Sequence, residues 1–385
     1  MTKILYEITD ENLESGLRGI PVGYCTTSRV DPELGLHYRG RAVREFAHLK
    51  PEEVIYCIME GKLSDSPGFK SFCAELKRRS TLHPKIKEHI CKLPRECHPM
   101  KLLVVALAMM NDFEGEGKYP EDCLNLIAKI PEVVATIINY HAGWGETPKS
   151  KPELGYMENF CHMLNVPKLA NKEVFSEVMR LFNVLHYDHG GGNLSTFVGK
   201  AVASGHEDVY GSIAASMCAL EGPLHGKANQ VCLAFLEEVH REVGDQVTGD
   251  QMEALIRNRL DTGKLVYGFG HAVLRKEDSR ATLFCEAGAK YFPHHPLVKI
   301  GMLLRERAPK VLSENPKIQD PYANVDLMSG AVLSAAGFHY PEYFTLLFGL
   351  SRTVGISRQI VYERCEARDG KGTPIVRPKY LYKPT

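Results

Sequence analysis

Three short stretches of this 385-residue chain put ionisable side chains where a ligand can come close to the backbone: EGPLHGKANQ around His225, YGFGHAVLRKEDSR around His271 and YANVDLMSG around Asp326. Each lies beside glycine or at an expected helix start. Two imidazoles and one carboxylate are groups suited to acid–base chemistry. Each also has a structural reading. A histidine among glycines can serve as a loop residue bonded to a nearby carbonyl, and Asp326 ahead of LMSGAVLSAAG suits a helix N-cap. His186 and His189, three apart at the end of an amphipathic run, suit a metal pair or unmetallated imidazoles favoured by a helix C-terminus.

Other chemistries lack their signatures. GFGHAV carries two glycines of a dinucleotide fingerprint but has Val273 where the third belongs, and no clear strand precedes it. Walker A, HExxH and nucleophile-elbow patterns are absent from the sequence. Cys91, Cys97 and His98 lie close together without a fourth ligand at zinc-finger spacing, so no metal is expected. The eleven cysteines include no Cys-x-x-Cys pair and read as reduced, mostly buried thiols. Lys plus Arg (47) equals Asp plus Glu (47), which gives no net field for nucleic acid or an anionic membrane. The longest unbroken apolar run, Leu102 to Met110, is about half a membrane span. With an acidic N-terminus, MTKILYEITDENLESG, the expected setting is the cytoplasm, or the mitochondrial matrix for a processed chain.

The elements that must position these side chains are mainly helical. In NKEVFSEVMRLFNVLHYDHGGGN apolar residues recur every three to four positions, which predicts an amphipathic helix ending near His189. NQVCLAFLEEVHREVGD repeats Val231, Phe235, Val239 and Val243 at four-residue spacing, and further helical runs fall near 101–110, 122–141, 296–312, 327–337 and 342–365. LHYRG (36–40) and PIVRPKYLY (374–382) are the best strand candidates. The expected fold class is all-α with at most small β-hairpins. Gly/Pro-marked stretches near 221–226 and 315–330 are the candidate hinges.

Taken in order, GLRGI, HPMKLLVVALAMMN, HYDHGGGNLS, GPLHGKANQ, GFGHAVLRKEDSR, NVDLMSG, LLFGLSRTVG and RPKY resemble the citrate synthase family, in particular the type found in mitochondria and some bacteria. The resemblance spans nearly the whole chain. It implies a large helical domain (1–225 and 332–385) carrying a homodimer interface and a smaller one (226–331) closing over the active site. It also implies condensation of acetyl-CoA with oxaloacetate and hydrolysis of citryl-CoA to citrate and CoA, with the CoA thioester as substrate and no separate cofactor.

By the same resemblance, Asp326 matches the base that deprotonates the acetyl methyl group. His225 matches the donor to the thioester oxygen, and His271 the group that holds and protonates the ketone. Arg280, Arg352 and His189 match the oxaloacetate clamp, joined by Arg377 from the partner subunit, because planar guanidinium forks suit two carboxylates. Arg18, Arg275 and the backbone at Val266, Gly268 and Gly270 match the CoA site. Tyr267 departs from the family's usual proline, and the chain begins shortly before Arg18, without the longer arm of mitochondrial members. Two alternatives share the pattern: a 2-methylcitrate synthase using propionyl-CoA, which differs by one methylene in an apolar pocket, and a catalytically inactive CoA-binding helical dimer.

Overall fold

The computed structural model describes residues 4–151 and 153–384. The described residues contain sixteen α-helices and one small sheet. In the first half these are α1 (Val43–Phe46), α2 (Pro51–Glu60), α3 (Phe69–Arg79), α4 (Pro84–Ile90), α5 (Pro99–Glu114), α6 (Tyr119–Ala142), α7 (Tyr156–Met163) and α8 (Lys172–Leu185). There follow α9 (Leu194–Ala203), α10 (Val209–Leu220), α11 (Ala228–Val243), α12 (Gly249–Asp261), α13 (Ser279–Tyr291), α14 (Pro296–Leu312), α15 (Asp326–Ala335) and α16 (Phe344–Val361). The all-α expectation holds.

Local chemistry explains where several helices start. Asn171 accepts the Val174 N–H at 2.9 Å to open α8, and Asp208 accepts the Gly211 N–H at 2.8 Å to open α10. His83 and His98, each followed by proline at the first helical position, accept the N–H two residues on. α8 buries Phe175, Val178, Met179, Phe182 and Leu185, the stripe its periodicity indicates. It stops at Leu185 rather than near His189, because His186 turns its Nδ1 onto the Phe182 carbonyl at 2.7 Å and the chain leaves the helix.

α6 is long and apolar enough to cross a bilayer, yet its apolar window is 89% buried inside the protein. Its interior polar groups are paired: Lys129 donates to the Arg79 carbonyl at 2.7 Å, and Glu132 accepts the Leu82 N–H at 2.7 Å. Pro131 lies within this helix and leaves the Ile127 carbonyl without its usual partner. The Tyr156 hydroxyl of α7 donates to that carbonyl at 2.8 Å.

The sheet is a meander of β1 (Ser28–Asp31), β2 (Gly35–Tyr38) and β3 (Arg41–Ala42), with Ser28 opposite Tyr38 and His37 opposite Ala42. LHYRG therefore lies largely in β2, whose partner β1 the sequence pattern did not indicate. PIVRPKYLY is not a strand: 374–382 carries no regular element, since no described strand lies beside it to complete a ladder. Of the eleven cysteines, all free, only Cys57, Cys123, Cys232 and Cys285 are fully buried, and Cys91, Cys97 and Cys218 are exposed. The expectation of mostly buried thiols is corrected accordingly, since three of them lie on surfaces that the core leaves uncovered.

α11 to α15 pack largely on one another, and α15 also meets α8 while α11 meets α16. The stretch 315–330 divides into an irregular part up to Val325 and the first turns of α15. Tyr156→Phe should leave the Ile127 carbonyl buried and unpaired and lower unfolding free energy by about 1–3 kcal/mol; urea denaturation with an unchanged midpoint would count against this role.

Candidate active site

Arg280 opens the site from the first turn of α13. It is 4% exposed, and Asp278 grips it through Nε at 3.1 Å and Nη2 at 2.7 Å while also accepting the Arg280 backbone N–H at 3.0 Å. One carboxylate thus caps the helix and fixes the guanidinium. Burial, the largest influence, pulls the Arg280 pKa down, but Asp278 outweighs it and holds the group above its ordinary value. Arg280 Nη2 lies 3.2 Å from His189 Nε2. A guanidinium only donates, so His189 Nε2 accepts and its proton sits on Nδ1. Burial and then the charges of Arg280 and Arg352 keep that ring neutral by pushing its pKa well down.

His271 meets His189 edge-on, with ring centroids 5.3 Å apart. Its Nδ1 accepts the backbone N–H groups of Val273 and Leu274, each at 3.0 Å. The proton must then be on Nε2, turned away from the loop. Burial first, and then Arg280, lower its pKa to about 4. The preceding loop is pinned to the segment before α15: Gly270 N–H donates to Tyr322 O at 3.0 Å, Asn324 N–H to Gly268 O at 2.9 Å, and Asn324 Nδ2 to Gly270 O at 2.9 Å. Gly268 has φ +85°, and a Cβ there would stand 2.9 Å from Leu327 and 3.0 Å from Cys232 Sγ. Only glycine lets the His271 loop come this close to α15.

Asp326 is the first residue of α15. It is not the N-cap: Asn324 Oδ1 accepts the Asp326 N–H at 3.0 Å and leaves the aspartate side chain free. Burial raises its pKa to about 6, against the opposing pull of Arg280. His225 lies in the turn between α10 and α11. The Ser195 N–H, at the start of α9, points to His225 Nε2 at 3.4 Å, with Ser195 Oγ at 3.1 Å. A peptide N–H only donates, so Nε2 is the acceptor and Nδ1 carries a free proton. Burial, followed by the charge of Arg352, lowers this imidazole to about 4.

Arg352, in α16, is 1% exposed. Its Nε donates to the His186 carbonyl at 3.0 Å, and its guanidinium lies 4.7 Å from the centre of the Phe348 ring. The ring of His225 is 6.5 Å from that same phenyl group. Buried Nη1 has no hydrogen-bond partner among the described residues, although burial has lowered the group only to about 10 and it remains a cation at neutral pH. An unpaired buried guanidinium nitrogen suits an incoming anion.

The structure thus gathers His189, His225, His271, Asp326, Arg280 and Arg352 through shared contacts and charges. Val266 is half-buried in the His271 loop, and Arg275 is exposed, its Nη1 donating to Leu274 O at 2.7 Å. Arg18 and Arg377 are exposed, and among the described residues no hydrogen bond or ion pair ties either to the cluster. His186 and His189 do not share a helical face, because α8 ends before both. No group of three or more His, Cys, Asp or Glu among the described residues could hold a metal ion. The sequence pattern singles out none of Asp278, Ser195, Phe348 and Asn324: all are common residue types, and the partners His225 of Ser195 and Gly270 of Asn324 are 30 and 54 positions away.

A family model described as citrate synthase, C-terminal domain, matches residues 16–379. The chain belongs to the citrate synthase family. A curated citrate synthase named as mitochondrial, from Daucus carota, is 35% identical over 97% of this chain and 83% of its own. Solved citrate synthases from Thermotoga maritima MSB8 (25% identity, TM-score 0.81) and Pyrobaculum aerophilum (28%, 0.83) cover 97% and 96% of this chain, and 96% and 92% of theirs. The chain is accordingly an acyl-transferring enzyme of the citrate synthase family.

Gly268→Ala should cost more stability than Gly270→Ala. Both positions have positive φ, a penalty of about 1–2 kcal/mol for alanine, but the nearest atom to a Cβ at Gly270 is 3.5 Å away whereas Gly268 has none to spare. Equal denaturation midpoints would contradict the close approach.

Proposed function

We propose that this chain condenses acetyl-CoA with oxaloacetate and releases citrate and CoA, using Asp326, His225 and His271. The carrying observation is the complementary protonation of the three groups: one free carboxylate and two neutral imidazoles, each with a ring proton whose position backbone N–H donors dictate.

Asp326 takes a methyl proton from the thioester while His225 Nδ1–H donates to the thioester oxygen, so the developing enolate is stabilised as the C–H bond breaks. A thioester α-proton is a weak acid, and a positioned base contributes about 10²–10⁴-fold while one oxyanion donor adds about 10²–10³. Acting together, they bring the step within reach. The nucleophilic carbon then bonds to the ketone carbon of oxaloacetate, and His271 Nε2–H protonates the ketone oxygen. The proton that Asp326 took from the methyl group balances the one His271 gives up, so both groups return to their starting forms. Water cleaves the citryl-CoA thioester, giving the carboxylate of citrate and the thiol of CoA. Arg280, Arg352 and His189 hold the two oxaloacetate carboxylates; the unpaired Nη1 of Arg352 supports that role.

The CoA portion is assigned to Arg275, Arg18 and the Val266–Gly270 loop, with the thioester consumed as substrate and no separate cofactor. The chain is proposed to act as a homodimer in which Arg377 of each exposed C-terminal tail completes the other subunit's site. Segment 226–331 is proposed as the smaller domain that closes on the larger one (1–225 and 332–385); the mutual packing of α11 to α15 supports that division. The mitochondrial relative supports a matrix setting over the cytoplasm. The citrate synthase names of the relatives favour acetyl-CoA over propionyl-CoA and an active enzyme over a retired scaffold.

Mass spectrometry of products from oxaloacetate with acetyl-CoA or propionyl-CoA tests the reaction: citrate as the preferred product is expected, and no product from either would overturn it. Asp326→Asn should lower kcat by about 10²–10⁴-fold in a folded protein. In the wild type, kcat/KM should fall as pH drops through about 6, because the base must be ionised, while histidines pushed to about 4 stay neutral over that range. A pH–rate profile that stays flat down to pH 5 would remove Asp326 from this role.

A further inference from the structure

The turn that carries His225 is narrow at its neck and bare at its tip. Gly226 N–H donates to Leu220 O at 2.9 Å, closing the neck, whereas Leu224 beside His225 is fully exposed. Within the turn His225 N–H also donates to Gly222 O at 2.9 Å and Ala228 N–H to His225 O at 3.3 Å. These bonds shape the turn itself, whereas the aim of the ring also depends on how the turn is seated on its neighbours, and an oxyanion donor tolerates little displacement.

Glu221 helps to seat it. It is the last residue before the turn, its side chain is 10% exposed, and three side chains from the starts of α5 and α11 converge on its carboxylate. Lys101, from the first turn of α5, places Nζ 2.7 Å from Oε2. Lys227, directly ahead of α11, places Nζ 3.5 Å from Oε1. The His98 ring that caps α5 comes within 3.7 Å of Oε1. One anion therefore bridges both ends of the His225 turn and ties the pair to the start of α5. A mostly buried carboxylate between two ammonium groups is a stronger tether than an exposed ion pair, and removing it leaves like charges facing each other.

Resting on the reaction proposed above, we infer that Glu221 is a positioning residue for His225: through Lys227 and Lys101 it holds the turn so that the imidazole Nδ1–H stays aimed at the thioester oxygen. Among the described residues no hydrogen bond or ion pair links Glu221 to Arg280, Arg352 or His189, which come from other elements, so oxaloacetate binding should be spared.

The test compares wild type, Glu221→Gln, Glu221→Asp and Glu221→Gln with Lys227→Met. Glu221→Gln should lower kcat roughly 10- to 100-fold with the KM for oxaloacetate within about twofold, and Glu221→Asp should recover part of the loss. Adding Lys227→Met to Glu221→Gln should change kcat little further, because the two side chains act as one unit. A second readout needs no turnover. In protein labelled selectively at histidine, the His225 ring resonance, assigned by its absence in His225→Gln, should shift or broaden in Glu221→Gln while that of His271 stays in place. Unchanged kcat, an unmoved His225 resonance, or a matching loss of thermal stability with His271 disturbed as well would each overturn the inference. A wild type that makes no product refutes the reaction instead, and the resonance comparison still decides whether Glu221 fixes the ring.

Discussion

Two guanidinium groups inside a helical protein are the constraint around which this site is organised. Burying a cation is costly unless it is paired, and the two arginines meet that cost differently. Arg280 is gripped by Asp278, which is itself 1% exposed and also caps α13, so the charge and the helix start depend on one carboxylate. Among the described residues Arg352 has no carboxylate within ion-pair distance; its Nε uses the His186 carbonyl, its face lies against Phe348, and Nη1 remains open. A site with one satisfied and one unsatisfied cation is matched to an anionic ligand that brings the missing charge.

The same charges set the protonation of the groups around them. Burial and the arginines together keep His189, His225 and His271 neutral, and burial raises Asp326 while Arg280 opposes the rise. Neutral rings can act as directed donors only if their tautomers are fixed. Here the fixing comes from groups that cannot reverse their role: peptide N–H donors at Ser195, Val273 and Leu274, and the guanidinium of Arg280 at His189. The glycine at 268 matters for placement, since it lets the loop ahead of His271 lie against α15, which carries Asp326.

Much of this could be read from the chain. The helical periodicity of α6, α8, α11 and α14 follows from apolar side chains that only one face can bury, and the His225, His271 and Asp326 stretches stood out because glycine beside an ionisable group is locally conspicuous. Errors arose where a local pattern had more than one outcome. His186 and His189 have the spacing of a helical pair, but a side chain to backbone hydrogen bond ended α8 first. Asp326 has the type of a cap, but α15 already begins at Asp326, whose own N–H is accepted by Asn324. PIVRPKYLY alternates like a strand, yet a strand requires a neighbour, which no local pattern supplies.

The sequence by itself determined the helical class, the order of the chemical groups and their residue types, since these depend on side-chain chemistry and short-range periodicity. Tertiary structure decides which ring nitrogen of His189 and His225 carries the proton, that Arg352 stays open, and that Ser195 belongs to the site. Those properties depend on contacts between residues 30, 91 and 166 positions apart and on how fully each group is removed from water. Neither quantity exists until the helices have packed.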